Sequence, residues 1–145
     1  MKKRCGLSTK TGMTENVYVD SSAIVAIALD EPEAGELLEK LMGASVPFTS
    51  IVSKVEASLA LMKVGREGMP AAQIVSDLLD RLEIRVVGAE PPIFDHVMEA
   101  ARRYGKRSGH PAKLNFGDCF SYAFAKQAGG GLLYKGNDFA KTDLA

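Results

Sequence analysis

Short apolar runs alternate along the chain with longer segments in which apolar residues recur at helical spacing. Four of the runs predict β-strands, at Val17–Val19, Val46–Thr49, Ile84–Val87 and Leu132–Tyr134. These runs are apolar on both faces, which is typical of buried parallel strands and not of half-solvated antiparallel ones. The longer segments between them have the three-to-four-residue period of amphipathic helices.

Five apolar stripes predict the helices that alternate with these strands. The stripes are Leu37, Leu38, Leu41 and Met42 after Glu31 and Pro32; Val52, Val55, Leu59 and Met62; Ile74, Val75, Leu78, Leu79 and Leu82; Ile93, Val97, Ala100, Ala101 and Tyr104; and, in a last helix from Asn115 to about Gln127, Phe116, Phe120, Ala123 and Phe124. Strands alternating with helices predict a three-layer α/β/α sandwich around a mostly parallel sheet. In such folds, ligands bind beyond the carboxyl ends of the strands.

The length of 145 residues suits one domain with its own hydrophobic core. We expect residues 14–145 to form that domain, and residues 1–13, which are basic and lack an apolar stretch, to form a disordered lead. Cys5 and Cys119 are too few for a disulfide framework, so a reducing cytoplasm is the expected location. No apolar segment reaches the roughly 20 residues of a membrane span. Because the formal net charge is zero, nucleic-acid binding would require a local basic patch.

Four acidic residues occupy positions that the predicted elements place at one edge of the sheet. Asp20 directly follows the first strand, and Asp138 follows the last one. Glu56 and Asp118 lie in the first turns of two helices that follow short loops. If those helices begin at the same edge, all four carboxylates converge there.

Each acid also has a purely structural interpretation. Asp20 is suited to cap the helix that follows it. Glu56 has the spacing of a capping box with Ser53. Asp118 is a favourable acid in the first turn of a helix, and Asp138 fits an ordinary turn. Taken singly, none of the four is diagnostic.

Taken together, the four acids favour metal chemistry. Glu56 borders the apolar stripe of its helix, and Asp118 lies in a helix with few charges before Lys126. Two carboxylates about 5 Å apart repel by roughly 3 kcal/mol at an effective dielectric near 20. A partly buried group of carboxylates therefore calls for a cation. Oxygen ligands without His or Cys favour Mg²⁺ or Mn²⁺, as one ion or as two.

Four segments resemble, in order and spacing, those of PIN-domain proteins, most closely the VapC-type toxins of bacterial toxin–antitoxin pairs. They are VYVDSSA, VEASLAL, GHPAKLNFGDCFSYAFAK and LLYKGNDFAKTDL. The likeness extends from about Val17 to Leu144, and NFGDCFSYA and KGNDFAKTD are its most specific parts. The resemblance implies a PIN-like sandwich and a Mg²⁺-dependent endoribonuclease that cuts tRNA or another structured RNA. It also implies a homodimer and a cognate antitoxin protein as partners.

The resemblance also assigns roles to individual residues. The family has four acidic residues that bind the metal and act in catalysis. The resemblance implies that these correspond to Asp20, Glu56, Asp118 and Asp138. Ser21 matches a small polar position beside the first acid, and Asp143 is expected to support the metal ligands from outside. Asn137 departs from the pattern, since close relatives often have Asp there. Asp138 is left as the fourth ligand.

A basic segment precedes the helix that carries Asp118. Its cationic side chains, all within twelve residues, are Arg102, Arg103, Lys106, Arg107, His110 and Lys113. A basic loop that leads into an acidic site is well placed to bind RNA phosphates. The alternative is a helix C-terminus whose cations favour the helix dipole. The sequence leaves both interpretations open.

Two rival functions follow from the same residues. A catalytically silent PIN-like domain would bind RNA or protein only, and the presence of all four acids argues against it. A phosphotransferase of the haloacid-dehalogenase type would use Asp20 as a nucleophile. Such enzymes usually have a second Asp two residues further on, where this chain has Ser22. The chain has no Walker-type phosphate loop.

Overall fold

A computed structural model of the chain describes residues 16–44, 46–65 and 70–144. Four strands lie within these ranges: β1 (Asn16–Val19), β2 (Val46–Ser50), β3 (Arg85–Val87) and β4 (Gly131–Leu133). They form one parallel sheet in the order β3-β2-β1-β4. The predicted mostly parallel sheet is confirmed. The expected lead of residues 1–13, including Cys5, lies outside the described residues.

Helices cover both faces of the sheet. They are α1 (Ser21–Ala28), α2 (Ala34–Met42), α3 (Ile51–Val64), α4 (Ala71–Arg81), α5 (Ile93–Tyr104) and α6 (Phe116–Gln127), with a short 3₁₀ helix at Phe139–Lys141. Side chains of β1 alternate between two cores. Val19 packs into the core formed with α1 to α4, and Tyr18 into the core formed with α5 and α6. The predicted three-layer sandwich is confirmed.

Local sequence fixes where three of the helices begin. The side chains of Asp20, Ser50 and Asn115 accept hydrogen bonds from the first amides of α1, α3 and α6. Two of these caps, Asp20 and Ser50, come directly at the carboxyl ends of β1 and β2. The strands and helices therefore change direction at the same edge of the sheet. None of the described helices is long and apolar enough to cross a membrane.

The apolar stripe predicted for α3 is not the buried side of that helix. Val55, Leu59 and Met62 are 47%, 55% and 64% exposed. The core-facing line is instead Ser53, Ala57 and Leu61, at 0%, 0% and 6%. The prediction was wrong because α3 is apolar around most of its circumference, so that its period alone does not select the buried face.

The edge strand β3 differs from the other strands. Arg85 and Val86 are exposed, although the sequence predicts a strand buried on both faces. Pairing with β2 on one side only leaves β3 at the margin of the sheet. A charged side chain on such an edge also discourages pairing with other chains.

Candidate active site

Asp20 lies where β1 passes into α1, and its carboxylate is held at both oxygens. Its backbone N–H donates to the Leu133 carbonyl oxygen at 2.9 Å, which ties the end of β1 to the end of β4. Oδ2 accepts from the Ser22 N–H at 2.9 Å, and Oδ1 accepts from the Ser121 hydroxyl at 2.5 Å. Asp20 is only 3% exposed. It therefore caps α1, as its structural interpretation predicts, and also presents a fixed carboxylate at the sheet edge.

Glu56 reaches across from α3 to the first turn of α6. A Cβ atom at Gly117 would lie 1.7 Å from Oε2 of Glu56, so only glycine leaves room for this carboxylate. The predicted capping box between Ser53 and Glu56 is not formed, because α3 begins earlier and Ser50 caps it. The Glu56 side chain is therefore free of the helix end and faces the other acids.

Asp118 forms a capping box at the start of α6. Its N–H donates to Asn115 Oδ1 at 2.8 Å, and its Oδ2 accepts from the Asn115 N–H at 3.1 Å. The structural interpretation of Asp118 is thus correct as well. The box holds Asp118 against the sheet edge, beside the Gly117 position that Glu56 covers.

Asp138 completes the group from the segment after β4. It is exposed and directly precedes the 3₁₀ helix, and its side chain makes no capping hydrogen bond there. Its charge raises the pKa of Asp118. This electrostatic effect places Asp138 within range of Asp118.

The electrostatics show that the four carboxylates share one environment. Burial raises the pKa of Asp118 to about 7, and the charges of Asp20, Asp138 and Glu56 contribute to that rise. Burial also raises the pKa of Glu56, with a second contribution from the charge of Asp20. A hydrogen bond with Ser21 partly opposes that rise. The fold therefore concentrates negative charge for which the described residues provide no ion-pair partner.

The oxygen atoms of these four side chains are ligands of the kind that hard divalent cations prefer. They are all carboxylate oxygens, the ligands that Mg²⁺ and Mn²⁺ prefer. A cation would relieve the repulsion that raises the pKa of Asp118. Across the described parts of the chain, however, no three His, Cys, Asp or Glu side chains lie close enough to form a ready-made metal site. The residues present fit a metal in type and charge, but their spacing is not that of a preformed cage.

Asp143 belongs to a different group of side chains. Its carboxylate accepts from the Tyr122 hydroxyl at 2.6 Å and from Lys126 Nζ at 2.7 Å, and it lies 3.8 Å from Arg103 Nη1. Burial alone would raise the pKa of Asp143, but the hydrogen bonds from Lys126 and Tyr122 outweigh it and lower that pKa. Within the described structure, Asp143 makes no hydrogen bond with any of the four acids that it was expected to support.

The five arginine and lysine side chains of the segment before α6 fall into two sets. Arg103 donates to the Tyr104 hydroxyl at 2.8 Å and stacks over that ring, and Arg102 pairs with Glu99. These two guanidinium groups are occupied within α5 and its neighbours. In the described parts of the chain, the other three cations have no ion-pair partner: Lys106, Arg107 and Lys113. All three are exposed.

His110 shapes the loop that carries these cations. Its Nδ1 accepts from the Ala112 N–H at 3.0 Å, and its ring packs edge-on against Tyr104 with 4.7 Å between the ring centres. An accepting Nδ1 belongs to a neutral ring with its proton on Nε2. The predicted phosphate contact of His110 would therefore be a neutral hydrogen bond from Nε2 and not an ion pair.

Ser121 and Gly117 were not among the predicted site residues, although both contact the acids directly. Ser121 is 0% exposed and donates to Asp20. Gly117 provides the space that Glu56 fills. Their roles depend on contacts between elements far apart in the chain. The available signal was position, since Gly117 directly precedes Asp118 and Ser121 follows it by one helical turn.

Comparison with known proteins agrees with this architecture. The PIN-domain profile matches residues 17–144. A VapC ribonuclease of Rhizobium meliloti (strain 1021) is 38% identical over 139 residues, covering 88% of this chain and 98% of the relative. The ribonuclease VapC of Mycolicibacterium smegmatis is 41% identical over 129 residues, covering 89% and 98%.

A solved structure extends the comparison to the fold. VapC20 of Mycobacterium tuberculosis, a toxin that cleaves the sarcin–ricin loop, superposes with a TM-score of 0.64 at 22% identity. The match covers 86% of this chain and 92% of that chain. With the family profile spanning nearly the whole described chain, the protein belongs to the PIN-domain family and, within it, to the VapC group.

Proposed function

We propose that the protein is a metal-dependent endoribonuclease that hydrolyses RNA phosphodiester bonds and serves as the toxin of a toxin–antitoxin pair. The observation that carries this proposal is the electrostatic coupling of Asp118 with Asp20, Glu56 and Asp138, which together with burial raises the pKa of Asp118 to about 7. Such uncompensated charge at a sheet edge suits cation binding better than it suits structure. The names of the relatives, which are ribonucleases, support the same activity.

The proposed roles follow from how each acid is held. Asp20 and Asp118 are fixed by hydrogen bonds and would hold a Mg²⁺ or Mn²⁺ ion directly, with Glu56 and Asp138 binding directly or through water. A bound ion would supply Lewis-acid polarisation of the phosphodiester and would lower the pKa of a water molecule. Ser21 positions Glu56 through its hydrogen bond. The unpaired cations of the loop before α6 would bind RNA phosphates.

The exposed side of α3 supports a protein partner. Ile51, Val55, Leu59 and Met62 are 47% to 64% exposed on the helix that carries Glu56. Apolar side chains grouped in this way mark interaction surfaces. We propose that the chain forms a homodimer in the cytoplasm and that a cognate antitoxin covers part of its surface. tRNA or another structured RNA is the proposed substrate.

The test is cleavage of purified total tRNA in Mg²⁺ and in EDTA. Wild type and Asp118→Asn are compared with Asp80→Asn. This control removes the same charge from an exposed residue of α4. Wild type and Asp80→Asn should give discrete fragments only with metal. Asp118→Asn should give none, with an unchanged circular dichroism spectrum, because Asn retains the oxygen that accepts from Asn115 but not the charge.

The rival is a catalytically silent PIN-like module that binds RNA or protein. It would be favoured if folded, antitoxin-free wild type left tRNA and other RNAs intact in Mg²⁺ and in Mn²⁺. Full activity of Asp118→Asn would instead contradict the assignment of the site. The burial of Asp20, with both oxygens bonded, argues against its use as a phosphoryl nucleophile.

A further inference from the structure

Four hydroxyl side chains form a buried line behind the acidic group. Ser50, Tyr18, Ser53 and Ser121 are each 0% exposed. Their successive oxygen atoms are 2.7 Å, 2.7 Å and 3.4 Å apart in that order. The line ends at Asp20, whose Oδ1 accepts from Ser121 at 2.5 Å. These residues are called the hydroxyl chain below.

The hydroxyl chain has a single possible direction. Each hydroxyl has one proton, and only one assignment turns all four contacts into hydrogen bonds. Because Ser121 donates to Asp20, it must accept from Ser53. Ser53 must then accept from Tyr18, and Tyr18 from Ser50. The α3 amides that donate to Ser50 Oγ, at 3.2 and 3.4 Å, agree with this order because they leave its proton for Tyr18.

The hydroxyl chain connects the two helices that carry Glu56 and Asp118 to the strand that Asp20 directly follows. Tyr18 belongs to β1, Ser53 to α3 and Ser121 to α6. Ser53 and Ser121 stand three residues from the acid of their own helix, and Tyr18 stands two residues before Asp20. A set of hydrogen bonds that all point one way is mutually polarising, so that its last donor is strengthened.

We infer that the hydroxyl chain positions the Asp20 carboxylate for the reaction. Ser121 fixes Oδ1 while the Ser22 N–H fixes Oδ2, which sets the rotation of the carboxylate. The remaining members hold α3 and α6 against β1, so that the acids of the two helices and Asp20 face one site. The effect on catalysis rests on the proposed nuclease function, whereas the effect on Asp20 itself does not. Ser121, Ser53 and Tyr18 are therefore positioning residues.

The activity test uses a double-mutant cycle with a matched control. Ser121→Ala should lower kcat about tenfold, because the variant cannot make the hydrogen bond to the charged carboxylate. Tyr18→Phe should lower it about threefold, and the double variant should be no slower than Ser121→Ala, because the hydroxyl chain is already broken. Ser58→Ala is the control and should leave kcat unchanged, since among the described residues the Ser58 hydroxyl donates to the Lys54 carbonyl oxygen of the same helix and to no acid.

A second measurement does not depend on activity. In ¹³C-aspartate-labelled protein, the carboxyl resonance of Asp20, assigned with Asp20→Asn, should shift in Tyr18→Phe and also in Ser53→Ala, whose hydroxyl is linked to Asp20 through Ser121. It should not shift in Ser58→Ala. Ser53→Ala interrupts the same hydroxyl chain and replaces Tyr18→Phe if that variant does not fold.

The outcomes separate the two proposals. In one outcome, wild type cleaves RNA, the two substitutions lower kcat multiplicatively in the double variant, and the Asp20 resonance does not move in Tyr18→Phe. This outcome would mean that the hydroxyls only fill space in the core, and it would overturn the inference. A wild type that cleaves no RNA, but whose Asp20 resonance responds to Tyr18→Phe, would overturn the proposed nuclease and retain the positioning role.

Discussion

Asp118 is a side chain on which the fold places opposing demands. Its carboxylate closes the capping box of α6, where the helix dipole favours a negative charge. Burial and the neighbouring acids disfavour that charge, and the pKa of about 7 shows that their effect is the larger. The ionised Asp118 carboxylate therefore lowers the stability of the folded protein. Groups with such raised pKa values are common in active sites.

This balance predicts how stability depends on pH. An unfolded Asp has a pKa near 3.9, so between roughly pH 4 and 7 the folded protein binds the Asp118 proton more tightly than the unfolded one. The contribution of Asp118 to stability is thus full at low pH and lost as pH rises through about 7. Without metal, Asp118→Asn should have a Tm about 2–5 °C above wild type at pH 8, and the difference should be smaller at pH 5, where only part of the contribution has been lost. Differential scanning calorimetry in EDTA measures both. A Tm difference that did not grow with pH would contradict the assigned pKa.

Gly117 is a single residue whose lack of a side chain leaves room for the Glu56 carboxylate. In Gly117→Ala, the new Cβ would lie 1.7 Å from Glu56 Oε2 and must displace that carboxylate. The end of a Glu side chain moves easily, and Ala favours a helix over Gly by about 1 kcal/mol. We expect at least a tenfold loss of RNA cleavage without a loss of stability.

The matched control for this variant is Gly35→Ala on α2, where an added Cβ meets nothing within 4 Å. It should retain wild-type cleavage and gain a similar helix preference. Chemical denaturation and tRNA cleavage are measured on both proteins. Equal activity of the two variants would show that the position of Glu56 does not matter for the reaction.

At the scale of elements, α3 has two apolar faces with different roles. Ser53, Ala57 and Leu61 face the core, and small side chains let neighbouring helices approach closely. The opposite face, with Leu59 at 55% exposure, has no covering element among the described residues. One helix therefore contributes to the core, to the acidic group through Glu56, and to a surface suited to a partner.

The two leucines of α3 test this division. Leu61→Ala removes a buried side chain and should lower the free energy of unfolding by about 2–4 kcal/mol. Leu59→Ala makes the same chemical change on the exposed face and should alter it by no more than about 0.5 kcal/mol. Urea denaturation of dilute protein gives both values. Similar losses in the two variants would mean that Leu59 is buried in the folded protein, alone or in an oligomer, and dilution separates those cases.

Sequence reasoning succeeded where a signal is local and failed where it is not. Strand ends and helix starts are determined largely by neighbouring residues, so the sequence alone predicts Asp20 at the end of a strand and Asp118 in the first turn of a helix. The buried face of α3 depends on how helices pack, and its continuous apolar sequence fits either face. Ser121 acquires its role from Asp20, 101 residues away. The local sequence around Ser121 or around Asp20 does not predict a contact between residues so far apart.

At the scale of the whole molecule, the charges cancel but are not evenly spread. The formal net charge is zero, yet four acids share one edge and three exposed cations stand unpaired in the described loop before α6. Long-range attraction of RNA by net charge is therefore absent. Phosphate binding must come from short-range interactions, which a modest salt concentration weakens.

Removing the three unpaired cations gives a prediction for the whole molecule. Replacing Lys106, Arg107 and Lys113 together by Ala should raise KM for RNA at least tenfold with little change in kcat, because groups that hold phosphates bind the substrate without acting on the reacting bond. The dependence of log KM on log salt should flatten by about 2, at roughly 0.7 for each phosphate that is no longer neutralised. A triple variant of Lys40, Lys63 and Arg81, exposed elsewhere, carries the same change of net charge. Equal effects of the two triples would assign RNA binding to overall charge, whereas an effect of the first alone would locate it in the loop before α6.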